Sequence, residues 1–204
     1  QLDAGCYTFE NGHSVIWNET PDIEAQPLYQ HIDEIRSRVG DLKAQWMMNS
    51  RNMTIYPNVQ IADTTSLVLR TITPIAVDKT EMNLWCLAIK GEDAEVRRNR
   101  IRQHEDFFNV SGMATPDDTI CYEDCQDGGK AWATEWLQAA ERGIDDMHPG
   151  GNEHSEKLGF KPAWSVRGLY KMQNEVVFHA AYRQWAKLME AGMRREHNAR
   201  MAAE

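Results

Sequence analysis

Ser66-Leu-Val-Leu-Arg-Thr-Ile72 and Met82-Asn-Leu-Trp-Cys-Leu-Ala-Ile89, joined through the turn residues Asp78-Lys79-Thr80, decide the fold class of this chain. Both runs are rich in β-branched and aromatic side chains and too short for typical helices, so they read as strands. Trp46 to Tyr56 upstream has the same character. Three successive runs with short connections make an antiparallel meander. Further upstream, Tyr7-Thr8-Phe9-Glu10 and Ser14-Val15-Ile16-Trp17 flank Asn11-Gly12, a dipeptide that tolerates positive φ and closes tight hairpins. Residues 5–18 are therefore expected to be a hairpin, followed by a short helix around Leu28 to Val39.

After Gly91 the sequence turns helical. Glu92 to Val110 is charged and helix-forming, with Ser111-Gly112 as its stop and Gly112 suited to the left-handed C′ conformation. Lys130 to Arg142 places Trp132, Trp136, Leu137 and Ala140 on one helical face, and Gly143 ends it. Asp145 to Pro162, with Pro149, Gly150, Gly151 and Gly159, reads as a long loop. Leu169, Met172, Val176, Ala180, Trp185, Leu188 and Met193 fall on helical spacing, predicting a helix over 168–198 of roughly 45 Å. Strands first and helices after give an α+β class, a curved antiparallel sheet gripping one long C-terminal helix.

The chain has 204 residues, 22 basic against 31 acidic, for a net charge of −9. That balance excludes the broad cationic surface that phosphate backbones require, so nucleic acid is not an expected partner. No apolar stretch approaches the roughly 20 residues of a membrane span, and Gln1-Leu2-Asp3-Ala4 begins neither a secretory signal nor a chain with Met. The four cysteines are too few for a disulfide scaffold. A cytoplasmic protein, seen as part of a longer chain, is the expectation.

The most informative segment for chemistry is Ser111-Gly-Met-Ala-Thr-Pro-Asp-Asp118. It suits a helix start, with Thr115 as N-cap, Pro116 at N1 and Asp117 and Asp118 at N2 and N3. It also suits a metal site, because a carboxylate aimed into a cavity is a hard donor for Fe(II) or Mn(II). His148 and His154, six apart, could converge on a metal or lie in a solvated loop. His13 reads as an edge residue able to line a pocket, and His179 as a packing residue. Cys121 and Cys125 share a helix face as core thiols, and two ligands alone build neither a zinc site nor an iron–sulfur cluster.

Asn52-Met-Thr-Ile-Tyr-Pro-Asn58, Thr73-Pro-Ile-Ala-Val-Asp-Lys-Thr-Glu81 and Arg102-Gln-His-Glu-Asp-Phe-Phe-Asn-Val-Ser-Gly-Met-Ala-Thr-Pro-Asp-Asp118, followed by Glu123-Asp-Cys-Gln126, resemble the α subunit of Rieske non-haem iron ring-hydroxylating oxygenases. The branch is that of benzoate, toluate and anthranilate dioxygenases. The likeness spans most of residues 5–126, with Arg167-Gly-Leu-Tyr170 and a long helix fitting more loosely. It implies a helix-grip (START-like) catalytic domain whose mononuclear Fe(II) is held by two His and one Asp, the Asp falling on Asp118. It also implies that Ser50, Asn52, Ala62, Thr65, Phe108 and Ala114 line the substrate pocket, each of which could equally be sheet or helix packing. Arg51 and Arg70, on expected strands, are cations that could hold an aromatic carboxylate bidentately if turned inward, although outward is the commoner fate.

The resemblance further implies dihydroxylation of an aromatic carboxylate with dioxygen and NADH-derived electrons. These would arrive through a reductase or ferredoxin, in an α3 or α3β3 assembly with a small β subunit. The departures are definite. Cys-x-His and Cys-x-x-His pairs for a Rieske [2Fe–2S] cluster are absent, as are the two His ligands, so residues 1–204 read as the C-terminal portion of the catalytic domain, with the cluster expected in a part not contained here. A ring monooxygenase of the salicylate hydroxylase kind and a metal-free helix-grip binding module are the alternatives.

Overall fold

The computed structural model describes residues 2–64, 66–133, 139–172 and 174–202. Among the described residues eight strands form one antiparallel sheet: β1 (Ala4–Thr8), β2 (Ser14–Asn18), β3 (Ser50–Ile55), β4 (Val59–Asp63), β5 (Leu67–Ala76), β6 (Lys79–Leu87), β7 (His148–Pro149) and β8 (Trp164–Arg167), in the order β6-β5-β4-β3-β2-β1-β8-β7. The helices are α1 (Ile32–Val39), α2 (Asp41–Met48), α3 (Ala94–Gln103), α4 (Thr115–Gly128), α5 (Glu153–Leu158) and α6 (His179–Met201). A π-helical turn at His104–Phe108 continues α3, and a 3-10 turn at Glu175–Phe178 leads into α6.

The β1–β2 hairpin is as expected, with Gly12 at φ +84°. The meander holds but gains a strand. β4 (Val59–Asp63) pairs between β3 and β5, a five-residue stretch whose polar content hides it between stronger runs. Trp46 to Met48 is helix rather than strand: Trp46 and Met48 pack inward from α2, so their apolar bulk serves a helix as well as it would a strand. Gly112 is not left-handed. What demands glycine there is close approach, because a Cβ would lie 2.5 Å from the Phe107 carbonyl oxygen. The expected 145–162 loop contains β7 and α5, which Asn152 caps reciprocally with Ser155. The final helix starts at His179, not 168, so its 23 residues span about 35 Å. Of the helix expected at 130–142, residues 134–138 lie outside the described ones; Trp132, in the turn before them, is 97% exposed, and Ala139–Glu141 after them form a 3-10 turn.

Period-2 alternation gives the sheet two differently used faces. Tyr7, Val15, Trp17 and Met53 lie on one, under Trp46 of α2 and Phe160 and His154 near α5. The other face carries two separate clusters. Cys6, Ile16 and Val166 pack with Val176 and Val177 at one end, and Ala62, Val68 and Leu84 pack with Phe108 at the other. From the start of α6 the Arg183 guanidinium stands 5.5 Å over the Trp164 ring of β8. Tyr182, Trp185, Leu188 and Met193 along the helix remain exposed. No helix among the described residues is long and apolar enough to cross a membrane.

The helix-covered face sets a pH response. His154 stacks on Trp17 with centroids 4.6 Å apart, and its Nδ1 is 2.8 Å from the Tyr7 hydroxyl, which donates to Asn152 Oδ1 at 3.1 Å. Nδ1–H donating to Tyr7 satisfies all three groups. Burial, and then the Arg167 charge, hold the His154 pKa below its ordinary value. The unfolded chain therefore binds more protons than the folded one below about pH 6.5, and stability falls as pH falls through that window. Urea midpoints at pH 7.5 and 5.5 should show this loss, and His154→Phe, which stacks but cannot charge, should lose less over the same interval.

Candidate functional site

Cross-strand partners on the second face line up as one row: Val166, Cys6, Ile16, Asn52, Ala62, Val68 and Cys86. The apolar members at each end lie under cover, whereas Asn52, near the middle, is exposed. An opening bounded by two apolar clusters, with a polar group on its floor, is the form small-molecule sites take. Ser50, two residues from Asn52 and opposite Asn18, shares this face and is half-buried. Ala62 and Phe108 are buried in contact with one another's cluster. Thr65 lies outside the described residues.

The wall beside this floor is the segment from the π-helical turn to α4. π-Helical bulges are frequent at functional sites, and this one ends by setting Phe108 onto Ala62 and Val68. The chain then reverses tightly: Gly112 N–H donates to Asn109 O at 2.7 Å, Met113 N–H to Asp106 O at 2.9 Å and Ala114 N–H to Phe107 O at 3.0 Å. Thr115 Oγ1 donates to Phe108 O at 2.7 Å, tying the start of α4 to that residue. Thr115 is thus not the N-cap. Ala114 holds that position and Pro116 and the acids move one place into the helix, because the Thr115 hydroxyl is spent on the preceding turn. Asp118 remains in the first turn, its N–H donating to Ala114 O at 3.0 Å. Its half-buried carboxylate makes no hydrogen bond or ion pair among the described residues. Ala114 is half-buried beside it.

Arg70, on β5, shares the face of Val68 and packs with its guanidinium carbon 5.3 Å over the Phe108 ring. Its charge reaches His104 and Tyr122. The His104 pKa is lowered by burial, then by Arg100 and Arg70. The Tyr122 pKa is raised by burial and by Asp118, with Arg70 opposing. Asp118, Tyr122, His104 and Arg70 therefore share one electrostatic neighbourhood around Phe108. His104 and Tyr122 were not expected from sequence. The i,i+4 spacing of Asp118 and Tyr122 on a helix was the available signal.

Arg51 takes the commoner of its two expected fates, turned away from this floor. It points to the opposite face, ion-paired with Asp63 and stacked 5.9 Å over Trp46. Burial raises the Asp63 pKa against the opposing pull of Arg51. Cys121 and Cys125 are exposed rather than core, since α4 buries no residue of its own, and Cys6 and Cys86 are far apart on β1 and β6. Burial pushes the Cys6 thiol up to about 12. His154 is committed to Tyr7, and His148 lies on the edge strand β7. His13 accepts the Tyr56 N–H at 3.0 Å and lines an apolar recess of about 440 Å³ with Phe9, Trp46, Met53 and Phe160, on the Trp17 side of the sheet. His179, at the start of α6, meets Ala140 O at 2.6 Å.

Among the described residues no three His, Cys, Asp or Glu side chains gather where they could hold a metal ion. Asp118 fits a single hard-oxygen ligand for Fe(II), since nothing else among the described residues competes for its lone pairs. The cysteines and histidines described do not fit a Rieske cluster.

Residues 5–191 match the family described as ring hydroxylating alpha subunit (catalytic domain). The 2-halobenzoate 1,2-dioxygenase large subunit of Burkholderia cepacia is 40% identical over 194 residues, 95% of this chain and 41% of that protein. The toluate 1,2-dioxygenase subunit alpha of Pseudomonas putida is 36% identical over 98% of this chain and 43% of its own. The anthranilate 1,2-dioxygenase large subunit of Acinetobacter baylyi is 35% identical over 96% and 41%. The chain thus spans about two-fifths of the length of these relatives. In fold it resembles naphthalene 1,2-dioxygenase with indole bound in the active site (TM-score 0.70, 19% identity, 89% of this chain and 41% of that one). It equally resembles the Rhodococcus sp. enzyme bound to indole (TM-score 0.71, 17% identity, 91% and 44%).

Proposed function

The chain belongs to the ring-hydroxylating α-subunit catalytic-domain family, and on that premise we propose that residues 1–204 form the C-terminal portion of a catalytic domain that dihydroxylates an aromatic carboxylate of the benzoate class. The observation that carries this is Asp118, a carboxylate with no hydrogen bond or ion pair among the described residues, in the first turn of α4, whose Thr115 is tied to Phe108 and so to the apolar wall of Ala62 and Val68. The relatives named for 2-halobenzoate, toluate and anthranilate supply the substrate class.

Asp118 would supply one ligand to a mononuclear Fe(II), the two His ligands being expected outside residues 1–204. Iron bound there supplies the activation of dioxygen. The work of these residues is positional: Ala62, Val68 and Phe108 keep water from one side of the ring and fix its plane. Asn52 and Ser50 offer polar contacts at the open side, and Ala114 leaves room near the carboxylate. The two electrons, ultimately from NADH through a reductase or ferredoxin, would be supplied by a Rieske [2Fe–2S] cluster carried elsewhere, in an α3 or α3β3 cytoplasmic assembly with a small β subunit. Overall, arene, dioxygen, NADH and a proton give the cis-dihydrodiol and NAD⁺.

Supplying the complete oxygenase and its reductase with NADH, benzoate and ¹⁸O₂ should yield a cis-dihydrodiol carrying two labelled oxygens. A single labelled oxygen would make it a ring monooxygenase. An iron-free protein that binds benzoate unchanged would make it a binding module.

A further inference from the structure

We propose that Arg70 is the specificity residue of this site, the cation that receives the substrate carboxylate; the assignment rests on the aromatic-acid reading above. The side chain is 9% exposed, yet its Nε has no hydrogen-bond partner and no carboxylate of the described residues pairs with it. Its buried and half-buried counterparts on neighbouring elements each have a carboxylate partner: Arg51 pairs with Asp63 and Arg100 with Glu92. A guanidinium cannot shed its proton to relieve burial, so an unpaired one is unfavourable unless a ligand supplies the missing anion.

The geometry matches a ring bearing a carboxylate. Arg70 stands opposite Gln60 and Leu84, one row along from the Ala62–Val68 pair and on the same face. Its guanidinium lies over Phe108, the side chain that closes this end of the floor. A ring seated along Ala62, Val68 and Phe108 would thus bring its substituent to the planar fork that binds carboxylates bidentately. Asp118 and Arg70 both act on Tyr122 but form no ion pair with each other, leaving one charge for a metal and the other for an anion. Arg51, the other cation on these strands, is already neutralised on the far face.

The test uses the complete oxygenase without reductant, titrated with benzoate and with benzamide, its neutral near-isostere. The wild-type protein should bind benzoate at least about 30-fold more tightly than benzamide, as a buried charge pair requires. Arg70→Gln should lose about that factor for benzoate while benzamide affinity moves by less than about threefold and iron content stays unchanged. Arg70→Lys, which keeps the charge but not the fork, should fall between the two. Equal losses for both ligands, or loss of iron from Arg70→Gln, would overturn the assignment and make Arg70 a support for Asp118. A wild-type protein that does not distinguish the two ligands overturns it without any variant, so misfolding of Arg70→Gln cannot shield it. Turnover separates the two levels. If benzoate is oxygenated normally but Arg70→Gln binds it normally, only this assignment fails; if benzoate binds through Arg70 but is not oxygenated, only the proposed reaction fails.

Discussion

Asp118→Ala in the complete subunit is expected to empty the mononuclear iron site and abolish turnover while the EPR signal of the iron–sulfur cluster persists. The expectation separates two roles that the same residue suits. As a first-turn carboxylate on α4, Asp118 complements the helix dipole, a contribution of about 0.3–1 kcal/mol that is small at a partly exposed position. As the proposed metal ligand it would be one of three protein donors. Changes even to groups that merely orient ligands cost about 10–100-fold in affinity or activity, so deleting the ligand itself should exceed about 100-fold. Asp117→Ala is the internal control: it removes the neighbouring first-turn charge and should leave iron and turnover within about twofold. Metal analysis, EPR and oxygen consumption on both variants decide it. Unchanged turnover in Asp118→Ala would reduce the residue to a helix-start carboxylate.

The second large effect is on stability. Trp17 is 1% exposed, stacks on His154 at 4.6 Å and meets Trp46 at 5.3 Å, in the cluster with Tyr7 and Val15. The backbone is built around it: a Cβ on Gly5 would lie 3.1 Å from Trp17 Nε1 and 2.5 Å from the Val166 carbonyl oxygen. Because α2 and α5 rest on this ring from above and β1 crowds it from the side, the site cannot collapse around a smaller residue. Trp17→Ala should therefore cost about 3–5 kcal/mol, lowering the thermal midpoint by roughly 6–20 °C at the 2–4 °C per kcal/mol typical of this size. Trp17→Phe should recover most of the loss. A midpoint shift below about 3 °C for the alanine variant would show that this cluster is not a keystone of the sheet.

Both effects trace to residues whose type was readable in the chain but whose surroundings were not. The hairpin at Asn11-Gly12 and the runs of β5 and β6 were legible because turn chemistry and period-2 patterning act over a few residues. β4 escaped because a five-residue strand with Gln60 and Asp63 in it carries little pattern, and Trp46–Met48 misled because bulk and apolarity suit a packed helix equally well. Cys121 and Cys125 do share a face, as i,i+4 spacing requires, yet spacing along one helix says nothing about whether another element covers it.

At the site the division is the same. Sequence determined the chemical inventory: an acidic pair at a helix start, small and aromatic residues on neighbouring strands, two strand arginines, and a family likeness that the match over residues 5–191 bears out. Tertiary structure alone chose among them. Cross-strand register put Asn52, Ala62 and Val68 in one row, the π-helical turn laid Phe108 on it, and a one-residue step of alternation sent Arg51 to an acid on one face, while Arg70 lies on the other face with none. The physical reason is range. Propensity and capping are settled within a turn or two of chain, whereas which carboxylate stays unpaired and which cation is buried without an anion depend on partners tens of residues away, brought together only when the sheet closes its register.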